Sequence, residues 1–237
     1  MKNTSINLKT LLLNANKALA EKKYSEGKSI LEKINSINPN IFEVNYNLGL
    51  INLKLNNLDD AAINFEKAIN LNSNLSNVYF NLGIVFDKKK DFNLAIKNFQ
   101  KVIEIDPNNS HAFYNLGSIY QEIFKRTEAE KYLKKSIDLN PEFLLAYNNL
   151  FDVYDRSNQT EKFKELLLKA KKNLDEKNLL SFYSGMYEYK NKNYKLAIHT
   201  LENINLKDDF FIQNIRKHGI LAKSYDFIKD YEKAFNH

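Results

Sequence analysis

The chain has 237 residues, 43% of them hydrophobic and 27% charged, with a formal net charge of +6. Six glycines and three prolines are too few for a disordered or loop-rich β chain, and with no cysteine there is neither a disulfide nor a thiolate metal site, which fits a reducing, cytoplasmic compartment. The lysines alternate with Glu and Asp, as in Lys88-Lys89-Lys90-Asp91, and arginine occurs only at Arg126, Arg156 and Arg216. Nucleic-acid binding wants clustered cations, arginine forks and stacking aromatics, so the composition argues against it. The excess of Asn and Lys over Arg reads first as coding bias.

From the N-terminus, residues 1–7 read as a short leader, with Thr4 or Ser5 placed to cap the first helix. Leu11-Leu12-Leu13 faintly resembles a signal peptide, but Asn14, Asn16 and Lys17 interrupt the apolar run that a signal needs. No stretch approaches the roughly 20 apolar residues of a membrane-spanning helix.

From Leu8 onward a period of 34 residues governs the chain. Gly49, Gly83 and Gly117 keep that step inside the phrases Tyr46-Asn47-Leu48-Gly49, Phe80-Asn81-Leu82-Gly83 and Tyr114-Asn115-Leu116-Gly117, and Ala61, Ala95 and Ala129 keep it twelve residues later. Such a period marks an array of stacked units, which needs no single large core. The units count as 8–41, 42–75, 76–109 and 110–143, a regular array over 8–143. A degenerate stretch follows over 144–237, divided as 144–177, 178–214 and a partial 215–237. In the first unit Ala15 stands in the glycine place and Gly27 in the alanine place, with Pro39 closing it.

In the unit 76–109, Tyr79, Leu82, Gly83 and Phe86 fall on one helical stripe, and Ala95, Phe99 and Val102 on the same face of a second helix. Pro107 ends that helix, as Pro39 and Pro141 do in their units, while Ser73 and Asp175 stand in that place elsewhere. On these residues each unit resembles the tetratricopeptide repeat. The resemblance implies an all-α fold, an α-solenoid in which antiparallel helix pairs wind into a right-handed superhelix. It would hold about six full units and a partial seventh. The small pair, such as Gly83 and Ala95, is expected to let the two backbones approach.

The unit 144–177 departs from the pattern, with Phe151 in the glycine place and Phe163 in the alanine place. Two rings at a tight crossing would cost on the order of 1–3 kcal/mol each in an unchanged backbone, so a local change of superhelix pitch is expected, either as a hinge or as drift with repacking. The next unit restores Gly185 and Ala197. Ala234 then follows Ala197 at 37 residues, which places a three-residue insertion near Lys207 to Phe211. Tyr225, Phe227, Tyr231 and Phe235 would be left uncovered, so the chain is expected to be part of a longer protein, or to self-associate through this uncapped unit.

No motif of catalysis appears. His111, His199, His218 and His237 lack metal-ligand spacing, and there is no glycine-rich phosphate loop or nucleophile elbow. The expectation is a non-enzyme with no cofactor and no metal. Its partner would be a protein or peptide, because in tetratricopeptide arrays the first helices line a concave groove that binds peptides. Asn47, Asn81, Asn115 and Asn149 repeat at the 34-residue step on those helices. An asparagine amide can bond both the N–H and the C=O of a peptide backbone. The row resembles the asparagine ladder of O-linked N-acetylglucosamine transferases, although Asn is common at this place in the family and throughout this chain. Tyr46, Phe80 and Tyr114 precede the ladder residues, either as groove anchors or as packing between units. The clamp by which related domains grip a chaperone's terminal carboxylate is not matched: Asn16 and Asn47 fit its asparagines, but Leu12, Asn77 and Asn81 hold its cationic places.

The leading reading is an interaction scaffold. The alternative is a substrate-recruiting arm of a larger glycosyltransferase- or sulfotransferase-type enzyme, and a basic RNA-contacting solenoid stands third, testable by its salt dependence.

Overall fold

The computed structural model describes residues 2–207, 210–230, 233, 234, 236 and 237. Among the described residues there are thirteen helices and no strand, and two compact units divide the chain at 139/140. The first contains α1 (Lys2–Ala20), α2 (Tyr24–Ile37), α3 (Phe42–Lys54), α4 (Leu58–Leu71), α5 (Ser76–Lys88), α6 (Phe92–Ile105), α7 (Ser110–Glu122) and α8 (Arg126–Leu139). The second contains α9 (Leu144–Arg156), α10 (Thr160–Asn173), α11 (Lys177–Lys190), α12 (Tyr194–Glu202) and α13 (Phe211–Phe227). Odd-numbered and even-numbered helices pair as hairpins, and each hairpin packs on the next within its unit. The fold is an all-α solenoid. No helix among the described residues is long and apolar enough to cross a membrane.

The helix crossing is built more specifically than the small pair alone implies. A Cβ added to Gly49 would lie 2.6 Å from the Phe65 ring, one on Gly83 would lie 2.9 Å from Phe99, and one on Gly117 would lie 2.6 Å from Leu133. Gly185 meets Leu201 in the same way. The facing residue comes four positions after the alanine and is fully buried in every case. Bare backbone on the first helix is therefore the seat for one bulky side chain of the second.

In the fifth repeat the rings trade places. Phe151 and Phe163 lie with centroids 4.8 Å apart, and Tyr183 of α11 stacks on Phe151 at 3.9 Å. All three are at most 2% exposed. The crossing is filled by an aromatic cluster that draws in the next helix pair.

The two kinds of turn have different chemistry. Between the helices of each pair, Lys22, Asn56, Lys90, Phe124, Asn158, Lys192 and Lys229 adopt positive φ of 58° to 65°. At each, two backbone bonds close the turn: Lys90 N–H donates to Asp87 O at 2.9 Å and Asp91 N–H to Phe86 O at 2.9 Å, with the same pattern at the other six. This is the Schellman C-cap, which normally places glycine in the left-handed position. Here no glycine fills it, and a left-handed L-residue costs roughly 1–2 kcal/mol. Between successive pairs, Asn38, Asn72, Asp106 and Asn140 each accept from the backbone N–H two residues on, at 3.1 to 3.3 Å. Part of the chain's asparagine excess thus has a structural use, as the short amide or carboxylate closes a turn just ahead of or beside the proline.

Three expectations need correction. α1 begins at Lys2, so residues 2–7 are helix and not leader, and Thr4 and Ser5 lie inside it. Tyr225 is not left uncovered: it is 2% exposed, its hydroxyl donates to Glu202, and its ring stacks on His237 at 5.8 Å. Phe227, 58% exposed, stacks on Tyr194 of α12 at 4.4 Å. Tyr231 and Phe235 lie outside the described residues, as do Asp208 and Asp209 within the expected insertion.

Two substitution pairs check this account in thermal or urea unfolding. Gly83→Ala is expected to lower stability by about 1–3 kcal/mol through overpacking against Phe99, although alanine gains about 1 kcal/mol of helix propensity. Gly27→Ala, whose added Cβ would find its nearest neighbours at 3.6 Å, keeps that gain and raises stability by up to about 1 kcal/mol. Equal effects at the two sites would refute the crossing model. Phe124→Gly is expected to stabilise by about 0.5–1 kcal/mol, the left-handed strain relieved less the entropy that glycine adds to the unfolded chain. Asn56→Gly should change little, because Asn tolerates this conformation.

Candidate functional site

Within the first unit α3 packs on α5, while no comparable contact joins α4 and α6 among the described residues. The first helices α3 and α5 are thus direct neighbours. Asn47, Asn81 and Asn115 stand on α3, α5 and α7 and are all partly exposed. Asn47 Nδ2 donates to Asn16 Oδ1 of α1 at 3.3 Å. Asn81 Nδ2 donates to the Tyr46 hydroxyl at 3.2 Å, as Asn77 does at 3.2 Å. Asn115 Nδ2 bonds back to His111 O at 2.9 Å. Two of the three thus bridge successive first helices, with one N–H of the amide committed.

The aromatic row is half-buried. Tyr46 stacks on Phe42 at 5.8 Å and tilts against Phe65 at 6.0 Å, while Phe80 meets Phe99 edge-on at 5.6 Å. Tyr114 on α7 is half-buried as well. The contacts with Phe65 and Phe99 tie a first helix to its own second helix, while the Tyr46 hydroxyl ties it to the next first helix. Nearby, Asp87 is half-buried on α5, and burial raises its carboxyl above the usual carboxylate range.

The second unit carries something different at the equivalent places. Asn149 is half-buried on α9, but 34 residues on stands Tyr183, whose hydroxyl donates to Asn148 Oδ1 at 2.9 Å. Beside it an ion-pair network joins three first helices. Arg216 of α13 reaches Asp155 at 2.5 Å and Asp152 at 3.3 Å on α9, and Lys190 of α11 reaches Asp155 at 2.8 Å. Arg156 completes the set with Asp152 at 2.7 Å. These groups are only partly exposed, apart from Arg156, so water screens them less than an ordinary surface pair. Sequence reading missed this network. Its one available signal was the scarcity of arginine, for a planar fork that meets two carboxylates is a place where lysine does not substitute.

Burial pushes the Tyr183 phenol up from its ordinary value, because the phenolate would have to form away from water. In the unfolded chain the same phenol ionises near pH 10. Above that pH the unfolded state releases a proton that the folded state retains, so stability falls as pH rises. Tyr183→Phe is expected to cost about 1 kcal/mol at pH 7, for one lost hydrogen bond. The deficit should shrink above pH 10, which unfolding midpoints at both pH values would register. A deficit that stays constant with pH would refute this role for the phenol.

The stacked helix pairs, their fixed period and the glycine seat define a class, that of helical-repeat arrays. Family models described as tetratricopeptide repeat match residues 42–75, 76–109 and 110–143, so the chain carries tetratricopeptide repeats over residues 42–143. Among solved structures it is similar to MamA from Desulfovibrio magneticus RS-1, at 22% identity and a TM-score of 0.65 over 70% of this chain and 93% of that one. It is also similar to Pseudomonas aeruginosa PilF, at 16% identity and a TM-score of 0.65 over 82% and 88%. At these identities the likeness is one of fold. Among curated proteins no sequence matches this chain.

Proposed function

We propose that the chain is a protein–protein interaction scaffold that holds an extended peptide segment along the first-helix face of its regular repeats. The coarse part follows from the class: tetratricopeptide repeats bind protein partners. The finer part rests on one observation, the amides of Asn47, Asn81 and Asn115 repeating along the first helices α3, α5 and α7. A visiting strand offers N–H and C=O groups along its length, and an amide can answer either. Such a row reads backbone and is indifferent to side chains.

Magnitude sets what else is needed. A net hydrogen bond contributes about 0.5–1.5 kcal/mol, while association costs roughly 4–15 kcal/mol. Three amides alone do not hold a peptide, so apolar contacts must add to them. The exposed edges of Tyr46, Phe80 and Tyr114 lie one residue before each amide and supply that surface in the first unit.

The test is the double variant Asn81→Ala/Asn115→Ala in a pull-down from the native host. Loss of two hydrogen bonds predicts roughly tenfold weaker capture of specific partners, while the thermal midpoint stays close to that of the parent chain. Retention of every specific partner at full strength would reject the ladder while leaving the scaffold reading intact.

A further inference from the structure

We propose that the second unit holds a separate site, a cation-rimmed apolar cavity between α11 and α13 that takes a bulky apolar side chain carried on an acidic peptide. It rests on the reading above that this chain binds peptide segments, and it adds where in the second unit one docks and what charge it carries.

The cavity has a volume of about 410 Å³, within the range of ligand pockets. Met186, Tyr189 and Ile220 make its apolar wall, and Ile215, 57% exposed, stands at its edge. Its room depends on Gly219: a Cβ built there meets nothing within 4 Å, unlike those at the crossing glycines. Gly219 therefore serves no close helix approach, and its missing side chain is open volume.

Charge decides the kind of occupant. Lys190, Arg216 and Lys223 line the cavity together with a single carboxylate, Asp155. Asp155 is already engaged by Lys190 and Arg216, and the neighbouring Asp152 by Arg156 and Arg216. Three cations thus face one carboxylate in the cavity wall, and Lys223 stands exposed. An apolar residue flanked by Glu or Asp would cover Ile215 and neutralise this excess, whereas a basic segment would be repelled. The ion-pair network also fixes α13 against α9 and α11, so the cavity is formed before any ligand arrives, which lowers the cost of binding.

The experiment uses the whole chain and a fluorescein-labelled peptide of alternating glutamate and serine around one central phenylalanine, read by fluorescence anisotropy. Gly219→Leu fills the cavity and should fold at least as well as the parent, since the space is open and leucine favours helix more than glycine does. Lys223→Glu leaves the cavity and inverts its rim. Saturable binding is expected, weakened at least tenfold by each variant and by replacing the central phenylalanine with serine, and weakened on raising salt from about 0.05 to about 0.3 M. Absence of binding, equal binding by the serine peptide, indifference to both variants, or preference for phosphatidylserine vesicles would each overturn the proposal. Asn81→Ala/Asn115→Ala, measured in parallel, separates the two readings. If only that variant weakens binding, the site between α11 and α13 is wrong and the ladder stands; if only Gly219→Leu and Lys223→Glu weaken it, the converse holds for this ligand.

Discussion

Four of the helix pairs close because one bulky side chain of the second helix lies on bare backbone of the first. Phe65 over Gly49, Phe99 over Gly83, Leu133 over Gly117 and Leu201 over Gly185 are the same contact made four times. Dense packing is what stabilises a solenoid, since each pair contacts only its neighbours and no distant core compensates a local fault. The contact also sets the distance and angle between the two helices. With the crossing fixed, the side chains at the flanking positions point where they do, including the amides of Asn47, Asn81 and Asn115.

The fifth repeat shows how the constraint is met without glycine. Phe151 and Phe163 would collide in the common crossing, yet they lie tilted to each other and recruit Tyr183 as a third ring, stacked on Phe151 and edge-on to Phe163. Aromatic rings prefer offset and edge-on contacts at these spacings, so the cluster contributes beyond simple area burial. One consequence is chemical: the residue that would have continued the asparagine row, at position 183, becomes a buried phenol bonded to Asn148. The second unit therefore presents ions and an apolar cavity where the first presents amides. Two faces built on one repeat plan thus carry different side chains.

The turns carry their own lesson about what a sequence conceals. A Schellman turn is usually announced by glycine, because glycine enters the left-handed region without cost. Lysine, asparagine and phenylalanine occupy that place here, so no residue type marks it and only the period does. Repetition of seven such turns, the first six at the 34-residue step, is tolerable because the two backbone bonds at each outweigh the strain.

Much of the architecture was legible beforehand. The 34-residue step, the small residues at Gly49, Gly83, Gly117, Ala61, Ala95 and Ala129, and the terminating prolines determine helix number, pairing and unit boundaries, because local periodicity and chain termination are properties of neighbouring residues. Asn47, Asn81 and Asn115 were readable as a row on one set of helices for the same reason. Tertiary structure alone decided the rest. It decided that Phe99 and not Ala95 is what Gly83 accommodates, that Tyr225 is covered by Glu202 and His237, and that Arg216 spans to Asp152 and Asp155 more than sixty residues away. The contacts of Tyr225 and Arg216 join side chains whose separation along the chain follows no period, and only the folded stack brings them within reach.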